Sequence, residues 1–328
     1  METAEETKAA PRFSAPTGHS FFRAPTGAAL NWTLLLVLVV IWGSTFAGIR
    51  IGVETIDPAW LVTGRLLGAS AFLAIWILGS RVLNRRVRAD GSAPVSMKAI
   101  GWFCFIGVTA TAVPFVLYAT AAQTTGSAVL AICNGATPFG TAILAHFFVG
   151  DRLSGRRVAG VMLGFLGLVV LVLPEFGEEA GGTLTGILLA IGGALLYSVG
   201  NVGTRRAPRV EPAMSSFIIV FSAGLSTLAL ALLTSPFPTE ASTASMIAMV
   251  MLALLPTALA MFLYVWLIQR AGAVFVSFTT YMSPLWATAL GVLFLNEELH
   301  WSMVGALALI LVGVAVANRP AKKVSPAI

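Results

Sequence analysis

Hydrophobic residues form long, nearly uninterrupted runs along this chain, and short polar connections separate the runs. A helix needs roughly 20 mostly apolar residues to cross the hydrocarbon core of a bilayer. The pattern predicts an all-α integral membrane protein with ten transmembrane helices. The predicted spans cover residues 30–50, 60–80, 99–121, 127–149, 157–174, 184–204, 213–234, 246–268, 273–295 and 301–317.

The composition agrees with a membrane environment, because 57% of the residues are hydrophobic and only 10% are charged. A soluble domain typically carries about 25% charged residues. Residues 1–29 lack an apolar period and are predicted to be a disordered cytoplasmic tail, and residues 319–328 a second cytoplasmic tail. Cys104 and Cys133 each lie inside an apolar run, which favours buried thiols over a disulfide.

The basic residues fall almost entirely on one side of the predicted membrane. When alternate connections are assigned to two sides, the side of the N-terminus holds all of the 20 Lys and Arg residues except two. Arg50 lies on the other side and Arg65 lies within a span. Basic residues are retained in the cytoplasm, so both termini are predicted to face the cytoplasm of a bacterial inner membrane. The net charge of +6 then reflects topology, and no nucleic-acid partner is expected.

The second half of the chain repeats motifs of the first half. At a shift of 146 residues the matches are Leu117-Tyr118 with Leu263-Tyr264, Gln123 with Gln269, Gly126 with Gly272, and Pro138 with Pro284. At a shift of 155 residues, Trp42 aligns with Tyr197. We predict two five-helix repeats, residues 30–174 and 184–318, and because five is odd the second repeat is inverted in the membrane. Inverted repeats are common in secondary transporters, whose substrate site lies near the midplane between the halves.

Several short motifs carry a resemblance to a known family. They are Ile41-Trp42-Gly43-Ser44-Thr45-Phe46, Asp57-Pro58, Arg65, Pro138 with Gly150-Asp151-Arg152-Leu153, and Pro284 with Asn296-Glu297-Glu298-Leu299. Together they resemble the drug/metabolite transporter superfamily, EamA family, over about residues 30–318. The resemblance implies an EamA-like repeat in each half and the export of amino acids, other metabolites or toxic compounds. The family's usual Gly-Glu at the hairpin ends stands here as Gly150-Asp151 and Asn296-Glu297.

Polar residues within the predicted spans are the candidates for a substrate site, since polar groups in hydrocarbon tend to face protein or a water-filled cavity. Asn134 and Thr137 lie on one stripe of their helix, and Thr280 and Ser283 occupy the equivalent positions of the second half. These residues either form the wall of a central cavity or hydrogen-bond across packed helices.

Aromatic residues in the middle of a span do not fit the usual interfacial belt. Trp42 and Tyr197 have such positions, and Asn201 lies one turn beyond Tyr197 on the same face. They either fill the core or line the cavity. Ser44 and Thr45, next to Trp42 in the family motif, are substrate-binding candidates with them.

Arg65 and two tyrosines complete the candidate residues. Arg65 lies close to the external end of its span, where it either extends to the interface or attracts an anionic group such as a carboxylate. Tyr118 and Tyr264 are equivalent by the 146-residue shift and lie near opposite membrane faces. They either close the outer and inner mouths of the pathway as gates or belong to the interfacial belts.

These features predict a secondary transporter that exports or exchanges small metabolites, such as amino acids, by alternating access. The alternatives are a channel or non-transporting membrane protein, and an intramembrane enzyme. The sequence contains no Gly-x-Ser-x-Gly, no His-Glu-x-x-His, no pair of carboxylates within the spans and no Walker motif. We therefore expect a small-molecule substrate and a lipid bilayer as partners, and no metal, cofactor or catalytic residue. The glycine face of Gly160, Gly164 and Gly167 is suited to contact within the bundle or to a homodimer.

The topology is directly testable with a reporter that is active only in the periplasm. Fusions after residue 178 or 240 should be active, and fusions after residue 90 or 209 should be silent, because basic connections stay in the cytoplasm. The reverse pattern would contradict the inverted-repeat prediction.

Overall fold

The computed structural model describes residues 25–83, 95–150, 154–173, 181–208, 210–271, 273–276 and 278–318. Over these ranges the chain is helical and contains no strand. Six helices are long and apolar enough to cross a membrane: Gly27–Gly52, Pro58–Ser80, Met97–Ala121, Ser127–Phe148, Thr183–Arg205 and Pro212–Thr234. Shorter apolar helices cover Val158–Leu171, Thr243–Leu259, Met282–Phe294 and Trp301–Val316. The described residues thus have the predicted all-α class, and the number of spans stays a prediction.

Several of the apolar runs fold as two consecutive helical segments. The first half contains α1 (Pro25–Gly43), α2 (Thr45–Gly52), α3 (Pro58–Leu83), α4 (Met97–Gly107), α5 (Val113–Ala121), α6 (Ser127–Asn134), α7 (Thr137–Val149) and α8 (Gly155–Val172). The second half contains α9 (Gly181–Arg205), α10 (Pro212–Thr234), α11 (Thr243–Leu252), α12 (Ala260–Ala271), α13 (Ala273–Val276), α14 (Phe278–Phe294) and α15 (Trp301–Asn318). Helix α1 begins ahead of the predicted boundary at residue 30, because the fixed φ of proline suits the first helical position. The rest of the predicted tails, 1–24 and 319–328, lies outside the described residues.

Two π-helical segments interrupt otherwise continuous helices. They are π1 (Val108–Ala112) between α4 and α5, and π2 (Ala253–Leu259) between α11 and α12. A proline within a helix lacks an N–H donor, and its ring clashes with the carbonyl four residues earlier. Pro114 is the second residue of α5, just after π1, and Pro256 lies inside π2. In π2 the Thr257 hydroxyl donates to the Leu252 carbonyl at 2.9 Å, the group that loses its α-helical donor at Pro256. The wider turns therefore accommodate the two prolines.

A third break separates α6 from α7 in the middle of one apolar run. Gly135 and Ala136 form a turn there, and Pro138 follows at the start of α7. Gly135 is required by packing, because an ideal Cβ at this position would lie 2.6 Å from Cγ2 of Ile310. Because α6 ends at Asn134, the polar groups of this residue lie next to those at the start of α7.

Details of the backbone recur 146 residues apart. Ser96 and Ser242 each cap a helix by accepting a hydrogen bond from the backbone N–H three residues later, at 3.2 and 3.1 Å. Gly150 (φ 79°) and Asn296 (φ 53°), which follow α7 and α14, are the residues with positive φ in the described ranges. Glycine and asparagine tolerate this conformation best. The two halves thus begin and end equivalent helices by the same local means.

The helices around the centre form two groups. In the first, which we call the α9 group, α5, α6 and α7 pack against α9. In the second, the α1 group, α1 packs against α12 and α14, and α2 continues from α1. The groups touch where α6 contacts α2 and α14, and a cavity lies between them. Helix α3 packs along α10, and α8 packs along α15.

The glycine face of α8 is used within the chain. An ideal Cβ on Gly313 of α15 would lie 2.7 Å from the carbonyl oxygen of Gly160 and 3.0 Å from the backbone nitrogen of Gly164. A Cβ on Gly167 would lie 2.9 Å from Cγ1 of Ile310. These glycines let α8 and α15 approach closely. The glycine face therefore makes a contact within the bundle, which is one of the two alternatives considered from the sequence. A homodimer stays a prediction without an assigned surface.

Candidate functional site

A cavity of about 640 Å³ lies between the α1 and α9 groups. Candidate residues from the sequence that line it are Trp42, Thr45, Arg65, Tyr118, Asn134, Thr137, Tyr197, Asn201 and Ser283. A cavity of this size suits a small organic molecule. Most of the polar and aromatic candidates, which lie far apart in the sequence, therefore share one space.

Arg65 of α3 is a buried cation at this cavity, with only 6% of its surface exposed. Its Nε donates to the Thr257 hydroxyl at 3.1 Å, and its Cζ lies 4.0 Å from the centre of the Phe115 ring. The same Thr257 hydroxyl donates to the Leu252 carbonyl, which lacks its helical donor because residue 256 is a proline. The π-helical segment thus positions the charge, and the side chain does not extend to an interface.

Aromatic rings form one wall of the cavity. The rings of Tyr118 and Tyr197 stack with centres 5.7 Å apart, and Tyr118 also contacts Phe46 at 5.7 Å. Tyr118 is almost completely buried, with 1% of its surface exposed. Gly193 of α9 makes room for it, because an ideal Cβ there would lie 2.9 Å from Cε2 of Tyr118. Its position is inside the bundle, which is not where an interfacial belt residue lies.

The break between α6 and α7 supplies a polar cluster. Oδ1 of Asn134 accepts hydrogen bonds from the hydroxyls of Tyr118 at 3.2 Å and Thr137 at 3.3 Å. Two donors on the oxygen leave the amide nitrogen of Asn134 directed away from them. Nδ2 of Asn201 donates to the Thr141 hydroxyl at 3.1 Å. The stripe therefore combines both functions considered from the sequence, since it lines the cavity and also bonds between helices.

Trp42 and its neighbours have different positions. Nε1 of Trp42 donates to the carbonyl of Pro256 at 3.4 Å, and its ring packs against Tyr264 at 5.3 Å. Tyr264 is not among the lining residues and lies behind Trp42. Ser44 is also outside the lining, and its hydroxyl accepts a hydrogen bond from Nε1 of Trp286 at 3.0 Å.

The second half contributes Ser283 and Thr279 to the described lining. The Thr280 side chain lies outside the described residues, and its neighbour Thr279 lines the cavity. The hydroxyl of Ser283 is buried without a hydrogen-bond partner in the described part of the chain. Lining residues that the sequence pattern does not single out are Phe46, Phe115, Arg205 and Pro256. Of these residues, Pro256 could have been identified from the sequence, because a proline within an apolar run indicates a broken helix.

The cavity is asymmetric along the bundle. Its lining extends to Ala145 and Arg205, close to the C-terminal ends of α7 and α9. At the opposite end, the carboxylate of Glu297 accepts hydrogen bonds from the backbone N–H groups of Ser127 at 2.6 Å and Ala128 at 3.0 Å. A carboxylate at a helix N-terminus is favoured by the helix dipole. This contact, which we call the Glu297 clamp, joins the end of α14 to the start of α6 and thus connects the two helix groups.

A comparison with protein families finds one that matches twice in the chain. The model of the EamA-like transporter family matches residues 31–173 and 184–319.

Three curated relatives each match more than half of this chain. A chloroplast WAT1-related protein of Arabidopsis thaliana is 24% identical, over 90% of this chain and 70% of that protein. The inner membrane transporter YedA of Escherichia coli strain K12 is 26% identical, over 88% of this chain and 92% of the relative. A "Probable amino-acid metabolite efflux pump" of the same strain is 26% identical over 57% of this chain and 58% of its own length. One solved crystal structure has a similar fold, with a TM-score of 0.55 and 20% identity over 89% of this chain and 97% of the other.

Water access to the cavity is testable with single cysteines in a protein that carries Ala in place of Cys104 and Cys133. Ala142→Cys, on the cavity wall, should react with a hydrophilic maleimide in detergent solution. Ala223→Cys, completely buried between helices, should not react in the folded protein. Equal labelling of the two variants, measured by mass spectrometry, would contradict the presence of a wet cavity.

Proposed function

Because the chain belongs to the EamA-like transporter family, we propose that it is a secondary carrier that exports or exchanges small metabolites, such as amino acids or related compounds, across a bacterial inner membrane. The observation that carries this proposal is the cavity between two helix groups, which the Glu297 clamp connects beyond the described lining. The name of the E. coli efflux pump supports the substrate class, since it describes amino-acid metabolites.

The proposed architecture is ten transmembrane helices in two inverted five-helix repeats, with both termini in the cytoplasm. Support comes from the matched serine caps, Ser96 and Ser242, and from the positive-φ residues Gly150 and Asn296, at the same 146-residue spacing. In this orientation Arg205 lies near the cytoplasm and the Glu297 clamp lies near the periplasm. The described conformation then has its cavity facing inward.

Alternating access requires a closure on each side of a central site. In the inward-facing state the outer closure consists of the Glu297 clamp, with Tyr118 packed below it against Phe46. We propose that Tyr118 is part of this outer gate. Tyr264 supports Trp42 from behind, and we propose that the pair closes the inner mouth when the helix groups move.

The proposed energy source is the substrate gradient or an exchanged solute. The 14 Asp and Glu residues all lie outside the ten predicted spans, so the spans provide no carboxylate to relay protons. Coupling to protons would need a peripheral group such as Glu54 or His146. Transport in proteoliposomes is therefore expected to proceed without a pH gradient.

Neither alternative class has comparable support. A conducting channel needs a pathway open at both ends, whereas the described lining reaches Ala145 and Arg205 at one end and does not include the Glu297 clamp at the other. An intramembrane hydrolase needs a nucleophile with a base or a metal, and the sequence motifs for these are missing. No specific observation favours either class.

The carrier function is tested in two steps. Metabolite profiling of the medium from overexpressing cells identifies compounds that accumulate outside. Purified protein in liposomes loaded with such a compound should then show saturable counterflow of the labelled compound. A rate that rises linearly with concentration and shows no counterflow would contradict the carrier proposal.

Asn134→Ala should slow this transport about five- to tenfold, because the loss of one useful hydrogen bond is worth about 1–1.5 kcal/mol. The amount of folded protein should fall only slightly, since the Tyr118 hydroxyl loses its acceptor but lines a cavity in which water can replace it. Thr33→Ala, whose hydroxyl bonds only its own helix outside the cavity, is the matched control and should transport normally. If Asn134→Ala instead disappears from the membrane, the polar stripe serves helix packing.

A further inference from the structure

The charge balance of the cavity identifies a substrate class, on the premise of the proposed carrier function. Arg65 is charged at neutral pH. Its only hydrogen bond among the described residues is the one from Nε to Thr257, so its terminal nitrogens are left for a ligand. The described lining residues include no Asp or Glu. A buried cation without a carboxylate partner is strongly unfavourable unless water or a bound anion compensates it.

The other polar groups at the cavity can also serve an anion, because each of them carries a hydrogen that it can donate. The amide nitrogen of Asn134 has no acceptor in the described part of the chain, and neither does the hydroxyl of Tyr197. The Ser283 hydroxyl is buried, and no described residue bonds to it. Charged and neutral donors around one space bind a carboxylate well, since its two oxygens accept several hydrogen bonds.

The remaining wall is aromatic and suits an apolar group. Phe46 contacts Tyr118, and Phe115 contacts both Tyr197 and Arg65. Trp42 lines the same cavity. Flat ring surfaces of this kind bind a planar or branched apolar body. The cavity therefore offers both hydrogen-bond donors and apolar ring surface.

From this arrangement we infer that the carrier prefers carboxylate anions with an apolar, ring-sized body over zwitterions, and excludes cations. An ammonium group would meet Arg65 as a like charge, and the described lining opposes it with ring faces and neutral oxygens such as Oδ1 of Asn201, without a carboxylate. Amino acids are consequently weaker ligands than acidic metabolites of the same size in which the amine is absent or acylated.

Four compounds that share one phenyl ring test the charge order by calorimetric titration of the purified protein. They are N-acetylphenylalanine (anion), phenylalanine (zwitterion), N-acetylphenylalaninamide (neutral) and 2-phenylethylamine (cation). The anion should bind about tenfold tighter than the zwitterion, and the cation should not bind. Acetate, which has the carboxylate without the ring, should bind much more weakly than N-acetylphenylalanine. The inference would be overturned if the anion and the cation bound equally, or if acetate bound as tightly as N-acetylphenylalanine. It would also be overturned if none of these compounds bound.

Variants of Arg65 assign the preference to this residue. Arg65→Gln should bind the anion and the neutral amide about equally, because the charge that distinguishes the two ligands is gone. Arg65→Lys keeps the charge and should keep part of the preference, which controls for misfolding of the Gln variant. Full discrimination in Arg65→Gln would overturn the assignment. Counterflow by the wild-type protein tests the carrier function independently of charge, so binding that ignores charge with intact counterflow would refute this inference alone.

Discussion

A guanidinium group at the centre of an apolar bundle, with no carboxylate among the described residues that line its cavity, is the constraint on which this site depends. Such a charge is expensive in hydrocarbon and is found where protein or water compensates it. Here Thr257 binds one edge of Arg65, the ring of Phe115 covers its face, and the cavity provides access for water and solutes. The requirement to keep Arg65 solvated explains why the bundle is hollow at this level.

Prolines provide the irregular backbone that the site needs. Pro256 widens α11 into π2, which turns the Thr257 hydroxyl toward both the Leu252 carbonyl and Arg65. Pro138, after the break between α6 and α7, brings the amide of Asn134 into the cavity wall. Non-helical backbone at membrane depth is tolerated where it lines a cavity. The same residue type thus produces polar surface in both halves of the chain.

The sequence predicts the helical class and most of the polar wall, because an Asn or Tyr in the middle of a span is costly unless it faces protein or water. It cannot predict the contacts that depend on packing between distant helices. The position of Tyr118 along its run predicts a place near a membrane face, yet the missing side chain of Gly193 lets it enter the core. The motif around Ser44 predicts that this residue belongs to the site, but its hydroxyl accepts a hydrogen bond from Trp286 outside the cavity lining. Neither contact has a local signature.

Chain topology and cavity shape are linked by the two helix groups. Each group combines helices from both halves, so relative motion of the groups would open one end and close the other. The Glu297 clamp is the polar contact between the groups at the closed end. Its hydrogen bonds to a helix N-terminus can break and reform without leaving a buried charge unpaired, since Glu297 lies in a partly exposed connection.

The central claim is that transport requires this end to open, and a reversible covalent lock tests it most directly. An ideal Cβ at Gly291 lies 3.0 Å from the Ser127 hydroxyl oxygen, which suits a disulfide between Ser127→Cys and Gly291→Cys. Glu297→Ala makes room for it, and Cys104 and Cys133 are replaced by Ala. We expect counterflow to stop when the disulfide is formed and to return after reduction. Undiminished counterflow with the disulfide completely formed would contradict alternating access through this cavity.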